Sequence, residues 1–210
     1  GGDAGGAIGA AFATWQKLAG PAAKRRFVMD HSYWGPSATP DQIASAIAAR
    51  RGDFDAAGCT IERVGDEAAL CRRTAQAISE GKVIGWFQGR LEWGPRALGN
   101  RSILGDPRRA DMKDILNLKI KRRESFRPFA PSILRDAVPD WFETDGDVPF
   151  MMQVFKIRAE KRGEIPAVTH VDGTGRLQTV TWAANPRYAR LIQSFRDLTG
   201  VPIVLNTSFN

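Results

Sequence analysis

Cationic side chains dominate residues 88–131, and they are the groups in this chain best suited to binding phosphate. Eleven Arg and Lys residues lie between positions 90 and 127 against five Asp and Glu residues, which accounts for +6 of the net charge of +7. Turn residues and apolar anchors such as Gly94, Pro95 and Leu98 interrupt the charges, which is not typical of a solvated charge run. Because guanidinium groups match phosphate oxygens in geometry, the pattern favours a phosphate-bearing small molecule. A basic surface stripe for nucleic acid is the alternative.

Within this segment, Lys121 and Arg123 alternate along the chain, and Arg127 follows them. On an extended backbone, alternating residues point to one face, so we expect these cations to reach a single phosphate group. Glu124 would then orient one of the arginines. A solvent-facing basic strand is the competing interpretation.

Polar side chains also alternate near the last residues, at Asn206, Ser208 and Asn210, where a predicted strand ends. Ligand-binding polar groups commonly occupy such strand ends in α/β proteins, although a capped turn would show the same pattern.

A glycine-containing turn carries a third polar group of His170, Asp172 and Arg176. These side chains could bind a small anion or serve acid–base chemistry, whereas a lone histidine on a turn is often only hydrogen-bonded. The sequence has no Gly-x-Ser-x-Gly, HExxH, P-loop or CxxC motif. We therefore expect any chemistry here to depend on electrostatic positioning of phosphates.

Composition places the chain among ordinary soluble globular proteins, with 43% hydrophobic and 25% charged residues in 210. Cys59 and Cys71 lack metal-ligand spacing, which suits a reducing cytoplasm. No apolar run is long enough to span a membrane and no signal peptide is recognisable, so we expect a cytoplasmic protein without a membrane partner. The abrupt first and last residues suggest a piece of a longer protein.

The elements that must position these side chains alternate between helix and strand, which indicates the α/β class. A glycine-rich turn should open the chain and lead into a helix over Ala7–Leu18. Further helices are predicted at residues 67–79, 109–118 and 185–198, and after an N-cap at Thr39 or Asp41. Strands are predicted at residues 60–64, 82–88, 102–104, 151–158 and 202–205, at a segment ending near 134, and as a pair within 166–180.

The chain resembles the carboxy-terminal region of the O-carbamoyltransferases of the NodU/CmcH type in four motifs, which are GWFQGRLEWGPRALGNRSILGDPR, NLKIKRRESFRPFAPSIL, THVDGTGRLQTV and PIVLNTSFN. The resemblance implies a YrdC-like domain over residues 60–210, a twisted mixed sheet with flanking helices. It further implies a connector over residues 21–59, preceded at 1–20 by the last helix of an actin/hexokinase-type (Kae1-like) domain.

In that family the YrdC-like domain forms carbamoyl-adenylate from ATP and carbamoyl phosphate with Mg²⁺, and the Kae1-like domain transfers the carbamoyl group to an acceptor hydroxyl of a natural product or sugar. The family's Lys-x-Arg and Ser-x-Asn signatures match Lys121 with Arg123 and Ser208 with Asn210. Asp3 matches an aspartate that helps to bind Fe²⁺ in the Kae1-like domain.

The resemblance therefore implies roles for thirteen residues of this chain. The expected catalytic residues are Lys121, Arg123 and His170, and the metal ligand is Asp3. The expected ATP and carbamoyl phosphate ligands are Arg90, Arg96, Arg101, Arg127, Asp172, Arg176, Asn206, Ser208 and Asn210. We expect that the chain does not complete carbamoyl transfer by itself. The alternative function is a non-catalytic RNA-binding module of YrdC-like fold. A homodimer is left open.

Overall fold

The computed structural model describes residues 2–22, 24 and 27–209, with the side chains of residues 2–4 left out of the description. The helices are α1 (Gly2–Ala19), α2 (Pro40–Ala49), α3 (Arg51–Ala56), α4 (Glu67–Ser79), α5 (Met112–Asp114), α6 (Val138–Trp141) and α7 (Pro186–Thr199). The strands are β1 (Ile84–Phe87), β2 (Arg101–Gly105), β3 (Ala130–Leu134), β4 (Gln153–Lys156), β5 (Thr174–Val180) and β6 (Ile203–Ser208). A π-helix (Ile115–Lys121) continues α5.

The six strands form one mixed sheet in the order β1-β2-β6-β3-β5-β4. Only the β3–β5 pair is parallel, and the other four pairs are antiparallel. The register puts Ser132 opposite Gln178 and Leu104 opposite Asn206. The predicted α/β class with a mixed sheet and flanking helices is confirmed, while the YrdC-like and Kae1-like assignments and the domain boundaries stay predictions.

Helices α4 and α7 pack against each other, and both follow from local sequence signals. The Asp66 side chain accepts a hydrogen bond from Ala68 N at 2.9 Å at the start of α4. Asn185 caps α7 by accepting from Tyr188 N at 3.2 Å, and Gly200 ends this helix with a φ of 78°. Both predicted helices are thereby confirmed, and their buried side chains extend the core against the sheet.

Two predicted strands are wrong. Residues 60–64 have no regular structure, because no strand lies beside them to satisfy their backbone hydrogen bonds, and Glu62 instead pairs with Arg73 at 2.6 Å. The pair of strands predicted within residues 166–180 is reduced to β5. Its first half is a 3-10 turn at Pro166–Val168, whose Ala167 N donates to Pro107 O at 3.1 Å.

Two helical predictions also need correction. The segment predicted as one helix over residues 109–118 is a short α5 that widens into the π-helix. The glycine-rich opening is not a turn, because α1 already starts at Gly2. A Cβ at Gly5, Gly6 or Gly9 would meet nothing within 4 Å, so an alanine-rich sequence can stay helical through them.

Candidate anion-binding site

The π-helix ends at Lys121, and the next residue, Arg122, adopts the left-handed conformation with a φ of 49°. The prediction that Lys121 and Arg123 share one face of an extended segment is therefore wrong. The helix end nevertheless brings both side chains to the same region. The Arg123 charge is close enough to Lys121 to lower the pKa of Lys121.

Asn117 holds the loop that follows the π-helix. Its carboxamide is buried, and its Oδ1 accepts from Arg123 Nε at 2.7 Å while its backbone carbonyl accepts from Arg123 N at 3.0 Å. Its Nδ2 donates to the carbonyls of Ser125 at 3.2 Å and Arg127 at 3.1 Å. The guanidinium of Arg123 also lies 4.8 Å over the Phe129 ring. Arg123 is therefore fixed in direction before any ligand arrives.

Lys121 reaches across to the end of β6. Its Nζ donates to the Ser208 carbonyl and lies 3.4 Å from Ser208 Oγ. Burial, and secondly the nearby Arg123 charge, lower the pKa of Lys121 to about 8. The ammonium is thus held where a neighbouring negative charge would favour its protonated form.

Arg96 and Arg176 add two more cations. Their Nε atoms are buried and have no hydrogen-bond partner among the described residues. Burial, followed by the charges of Arg96 and Arg123, lowers the pKa of Arg176 to about 10. Lys121, Arg123, Arg96 and Arg176 are called the cation cluster below. Buried unpaired guanidinium N–H groups are costly, and an anion between them would remove that cost.

Glu92 organises the loop that carries Arg96. Its Oε1 accepts from the backbone N–H groups of Leu98 at 2.6 Å and Asn100 at 2.8 Å, and its Oε2 lies 3.2 Å from Arg101 Nε. Gly99 has a φ of 106° and lies against Tyr188, where a Cβ would come within 2.2 Å of the ring. A buried carboxylate and one obligatory glycine therefore define the path of this loop.

Asn206 supports the same loop from the sheet side. Its Nδ2 donates to Ala97 O at 3.0 Å, Ser132 Oγ at 3.1 Å and Gln178 Oε1 at 3.1 Å, and the residue is 1% exposed. Gln178 in turn donates to Leu98 O at 2.9 Å. Asn206 is thus part of a buried polar network beneath the cation cluster, and its predicted ligand role stays a prediction.

His170 borders the cation cluster through Arg176. Burial lowers the pKa of His170, Asp172 opposes this shift, and the charges of Arg176 and Lys113 add to it. Its Nδ1 lies 3.0 Å from Thr174 Oγ1, which donates to Asp172 Oδ1 at 2.7 Å. Asp172 is exposed and its pKa is lowered by hydrogen bonds from Thr174. The turn thus presents a neutral imidazole near pH 7.

The remaining predicted cations make other contacts. Arg90 donates to Gly35 O at 2.9 Å and Trp34 O at 3.0 Å in the predicted connector. Arg101 pairs with Glu92 and donates to Gly94 O at 2.9 Å. These contacts hold backbone segments, and the predicted ligand roles of Arg90 and Arg101 stay predictions.

Arg127 pairs with Glu124 at 2.9 Å, so Glu124 does orient an arginine. The charge of Arg127 lowers the pKa of Arg123 after the effect of burial, which places it at the edge of the cation cluster. Asn210 and the side chain of Asp3 lie outside the described residues.

Neither a metal site nor a membrane span is found in the part of the chain that the structure describes. No group of three or more His, Cys, Asp and Glu side chains there could hold a metal ion. No helix among the same residues is long and apolar enough to cross a bilayer. Cys71 is buried and Cys59 is exposed, and both are free thiols.

The aromatic residues around the basic segment differ in burial. Trp86 and Phe129 are 6% and 2% exposed, whereas Phe126 is 74% exposed. Trp86 and Phe129 are therefore core residues, while the loop beyond Asn117 leaves the Phe126 ring at the surface.

Sequence reasoning missed Asn117 and Tyr33 as supports of the site. Asn117 is a polar residue within an otherwise apolar stretch, and that mismatch was the available signal. Tyr33 gave no such signal, because its contact with Leu98 joins residues 65 positions apart.

Comparison with known proteins agrees with these features. Residues 75–210 match the family described as carbamoyltransferase C-terminus. The chain is 47% identical to nodulation protein NolNO of Sinorhizobium fredii over 99% of the chain and 30% of that protein. It is 46% identical to nodulation protein NolO of Bradyrhizobium diazoefficiens over 99% of the chain and 37% of that protein, and 36% identical to nodulation protein U of Rhizobium fredii over 99% and 32%.

The family match covers more than half of the chain, and the chain therefore belongs to the carbamoyltransferase family, of which it carries the carboxy-terminal region. The resemblance to NodU-type enzymes is confirmed by these relatives. The chain spans about a third of the length of the curated relatives it matches.

Proposed function

We propose that the cation cluster binds the phosphate groups of carbamoyl phosphate and ATP and that this chain catalyses formation of carbamoyl-adenylate. The observation that carries the proposal is the convergence of four cations, since the Arg123 charge lowers the pKa values of both Lys121 and Arg176 and the Arg96 charge lowers that of Arg176 as well. Arg96 and Arg176 present buried Nε–H groups without a partner among the described residues. A phosphate bound beside the two guanidiniums would offset the repulsion between their charges, to which the lowered pKa of Arg176 responds.

The proposed reaction has two steps. Water first hydrolyses carbamoyl phosphate. It attacks either the carbamoyl carbon or the phosphorus, the bond from that atom to the bridging oxygen breaks, and carbamate and inorganic phosphate form. A carbamate oxygen then attacks the α-phosphorus of ATP, the bond from that phosphorus to the β-phosphate bridging oxygen breaks, and pyrophosphate leaves. Both steps place additional negative charge on phosphate oxygens, which positioned cations stabilise.

In this proposal the residues have distinct tasks. Lys121 and Arg123 neutralise the transferring phosphate. Lys121 lies at the end of the π-helix, and Asn117 fixes the direction of Arg123. Arg96 and Arg176 hold a second phosphate, since the Arg96 charge is close enough to lower the pKa of Arg176. His170, neutral near pH 7 and adjacent to Arg176, is suited to accept a proton from the attacking water. Arg127 and the Ser208 hydroxyl bind the outer phosphates.

The residues near the cluster do not themselves fit a metal. Its side chains are cations, and no metal-binding group is found among the described residues. Any Mg²⁺ would therefore be carried by the phosphates of the nucleotide. Asp3, the proposed Fe²⁺ ligand, lies outside the described side chains.

Transfer of the carbamoyl group to an acceptor hydroxyl is proposed for the longer family proteins, because the chain covers about a third of them. The names of NolNO, NolO and nodulation protein U associate those proteins with nodulation.

Isothermal titration with carbamoyl phosphate and with ATP tests the binding part of the proposal. We expect saturable one-site binding that weakens by about tenfold or more in Lys121→Met and in Arg176→Gln, since each loses a charge-assisted hydrogen bond to phosphate. Arg63→Gln, at an exposed position outside the cluster, is the matched control. Equal affinities in all variants would refute the assignment. Tight, steeply salt-dependent RNA binding with no ATP binding would instead support the nucleic-acid alternative.

A further inference from the structure

The segment Ser32–Pro36 of the predicted connector is bound to residues 91–93, just before the Arg96 loop. Gly35 N donates to Leu91 O at 2.9 Å, and Leu91 N donates to Pro36 O at 3.0 Å. Trp93 N donates to Ser32 O at 2.6 Å, and Arg90 adds two side-chain bonds to the same segment. This segment is therefore a fixed part of the wall beside the site and not a loose tether.

Tyr33 extends this contact to the loop itself. Its hydroxyl donates to Leu98 O at 2.8 Å, and its ring packs against the small cluster of Leu98, Ala130 and Met151. Burial raises the pKa of Tyr33 to about 12, so the hydroxyl remains a donor throughout the neutral range. The ring of His31 stacks on it with a centroid distance of 5.4 Å.

The Leu98 carbonyl connects the loop of Arg96 with the strand of Arg176. It accepts from Tyr33 and, at 2.9 Å, from Gln178 Nε2. Leu98 lies two residues after Arg96, and Gln178 lies two residues after Arg176 on the same side of β5. Both donors at this one oxygen therefore set how far Arg96 lies from Arg176.

We infer that Tyr33 is a positioning residue for the cation cluster: through its hydrogen bond to Leu98 O, the Ser32–Pro36 segment sets the spacing of the Arg96 and Arg176 guanidiniums. This inference rests on the proposed anion-binding function. It gives the connector a specific task, because movement of this segment would reach the Arg96 loop through the Leu98 carbonyl as well as through the backbone bonds to residues 91–93.

A double-mutant cycle with sulfate as the probe tests the inference. Tyr33→Phe keeps the ring and its packing and removes only the hydroxyl, and we expect the sulfate Kd to rise about three- to tenfold, the effect of one hydrogen bond. In an Arg96→Gln background the same change should raise Kd by less than about 1.5-fold, because Tyr33 acts through Arg96. Trp34→Phe, which removes a 3.0 Å bond from Trp34 Nε1 to His31 O in the same segment, is the matched control.

Two outcomes would overturn the inference. One is a Kd change of less than twofold in Tyr33→Phe, and the other is an equal change in the Arg96→Gln background. If the defect in Tyr33→Phe were purely structural, Trp34→Phe would raise the sulfate Kd equally, and both variants would lower the urea unfolding midpoint to the same degree.

A ligand-free readout separates this inference from the proposed function. The Arg96 Nε–Hε signal in nitrogen-15 NMR should shift or broaden in Tyr33→Phe and stay in place in Trp34→Phe. If the parent chain binds no sulfate, the proposed function fails while this signal still decides the positioning role. An unchanged Arg96 signal in Tyr33→Phe would refute it.

Discussion

The lowered pKa of Lys121 predicts that anion binding depends on pH. Burial and the Arg123 charge lower this pKa to about 8 from the ordinary lysine range. Only the protonated ammonium attracts an anion. Affinity for a permanently charged anion must therefore fall as pH rises through about 8, whereas an ordinary lysine would hold its proton to above pH 10.

The magnitude follows from the protonated fraction. With a pKa of about 8, Lys121 is about nine-tenths protonated at pH 7 and about one-tenth protonated at pH 9. If the bound state requires the proton, the affinity falls about tenfold over this interval. A lysine with an unperturbed pKa would change the affinity by only a few per cent over the same interval.

Sulfate titrations at a series of pH values measure this effect, because sulfate stays a dianion across the range and contributes no titration of its own. The parent chain should show the tenfold decrease centred near pH 8. Lys121→Met should bind sulfate more weakly at pH 7 and show a flat profile up to pH 9. Lys119→Met, at an exposed position on the same π-helix, should keep the profile of the parent.

A profile that is flat in the parent, or a decrease that survives in Lys121→Met, would refute the assignment of Lys121 to the anion site. As an independent check, the Lys121 side-chain signal in carbon-13 NMR should titrate near pH 8 in the ligand-free chain and at higher pH with sulfate bound.

Other substitutions test the supports of the site. Asn117→Ala should raise the sulfate Kd and lower the free energy of unfolding in urea by about 2 kcal/mol, because it releases Arg123 and leaves the Ser125 and Arg127 carbonyls without their donor; unchanged values of both would contradict the role of Asn117. Gly99→Ala should lower the free energy of unfolding by about 3 kcal/mol, since a Cβ would approach the Tyr188 ring to 2.2 Å at a φ of 106°. Gly163→Ala, where a Cβ meets nothing within 4 Å, should change the free energy of unfolding by less than about 0.5 kcal/mol, and equal losses in the two glycine variants would contradict the steric argument.

Local signals in the sequence predicted much of the fold. The start of α7 was readable from Asn185 and Pro186, and α4 was readable from Asp66 and an amphipathic pattern, because caps and periodicity are properties of neighbouring residues. Neighbouring residues did not determine the structure of residues 60–64, where the predicted strand is absent. Their β-branched composition suggested a strand, but pairing requires a neighbour that only the tertiary structure supplies.

The candidate site likewise combines features that the sequence predicts with contacts that only the tertiary structure supplies. Charge and spacing predicted Lys121 and Arg123 as cations of one binding region, since an excess of positive charge confined to one segment is visible in the sequence. Arg176 lies outside that segment, and only the family resemblance predicted it for the same region. The contacts that aim them were not visible. The Lys121–Ser208, Tyr33–Leu98 and Gln178–Asn206 contacts join residues far apart in the chain, and the π-helix places Lys121 where neither a strand nor a regular α-helix would.

Exchange of labelled pyrophosphate into ATP in the presence of carbamoyl phosphate tests the central claim most directly. We predict exchange by the parent chain that requires carbamoyl phosphate and is lost in Lys121→Met and Arg123→Gln but retained in Arg63→Gln. Exchange that persists at the parental rate in Lys121→Met and Arg123→Gln would contradict the claim, as would no exchange by a folded chain that binds both substrates.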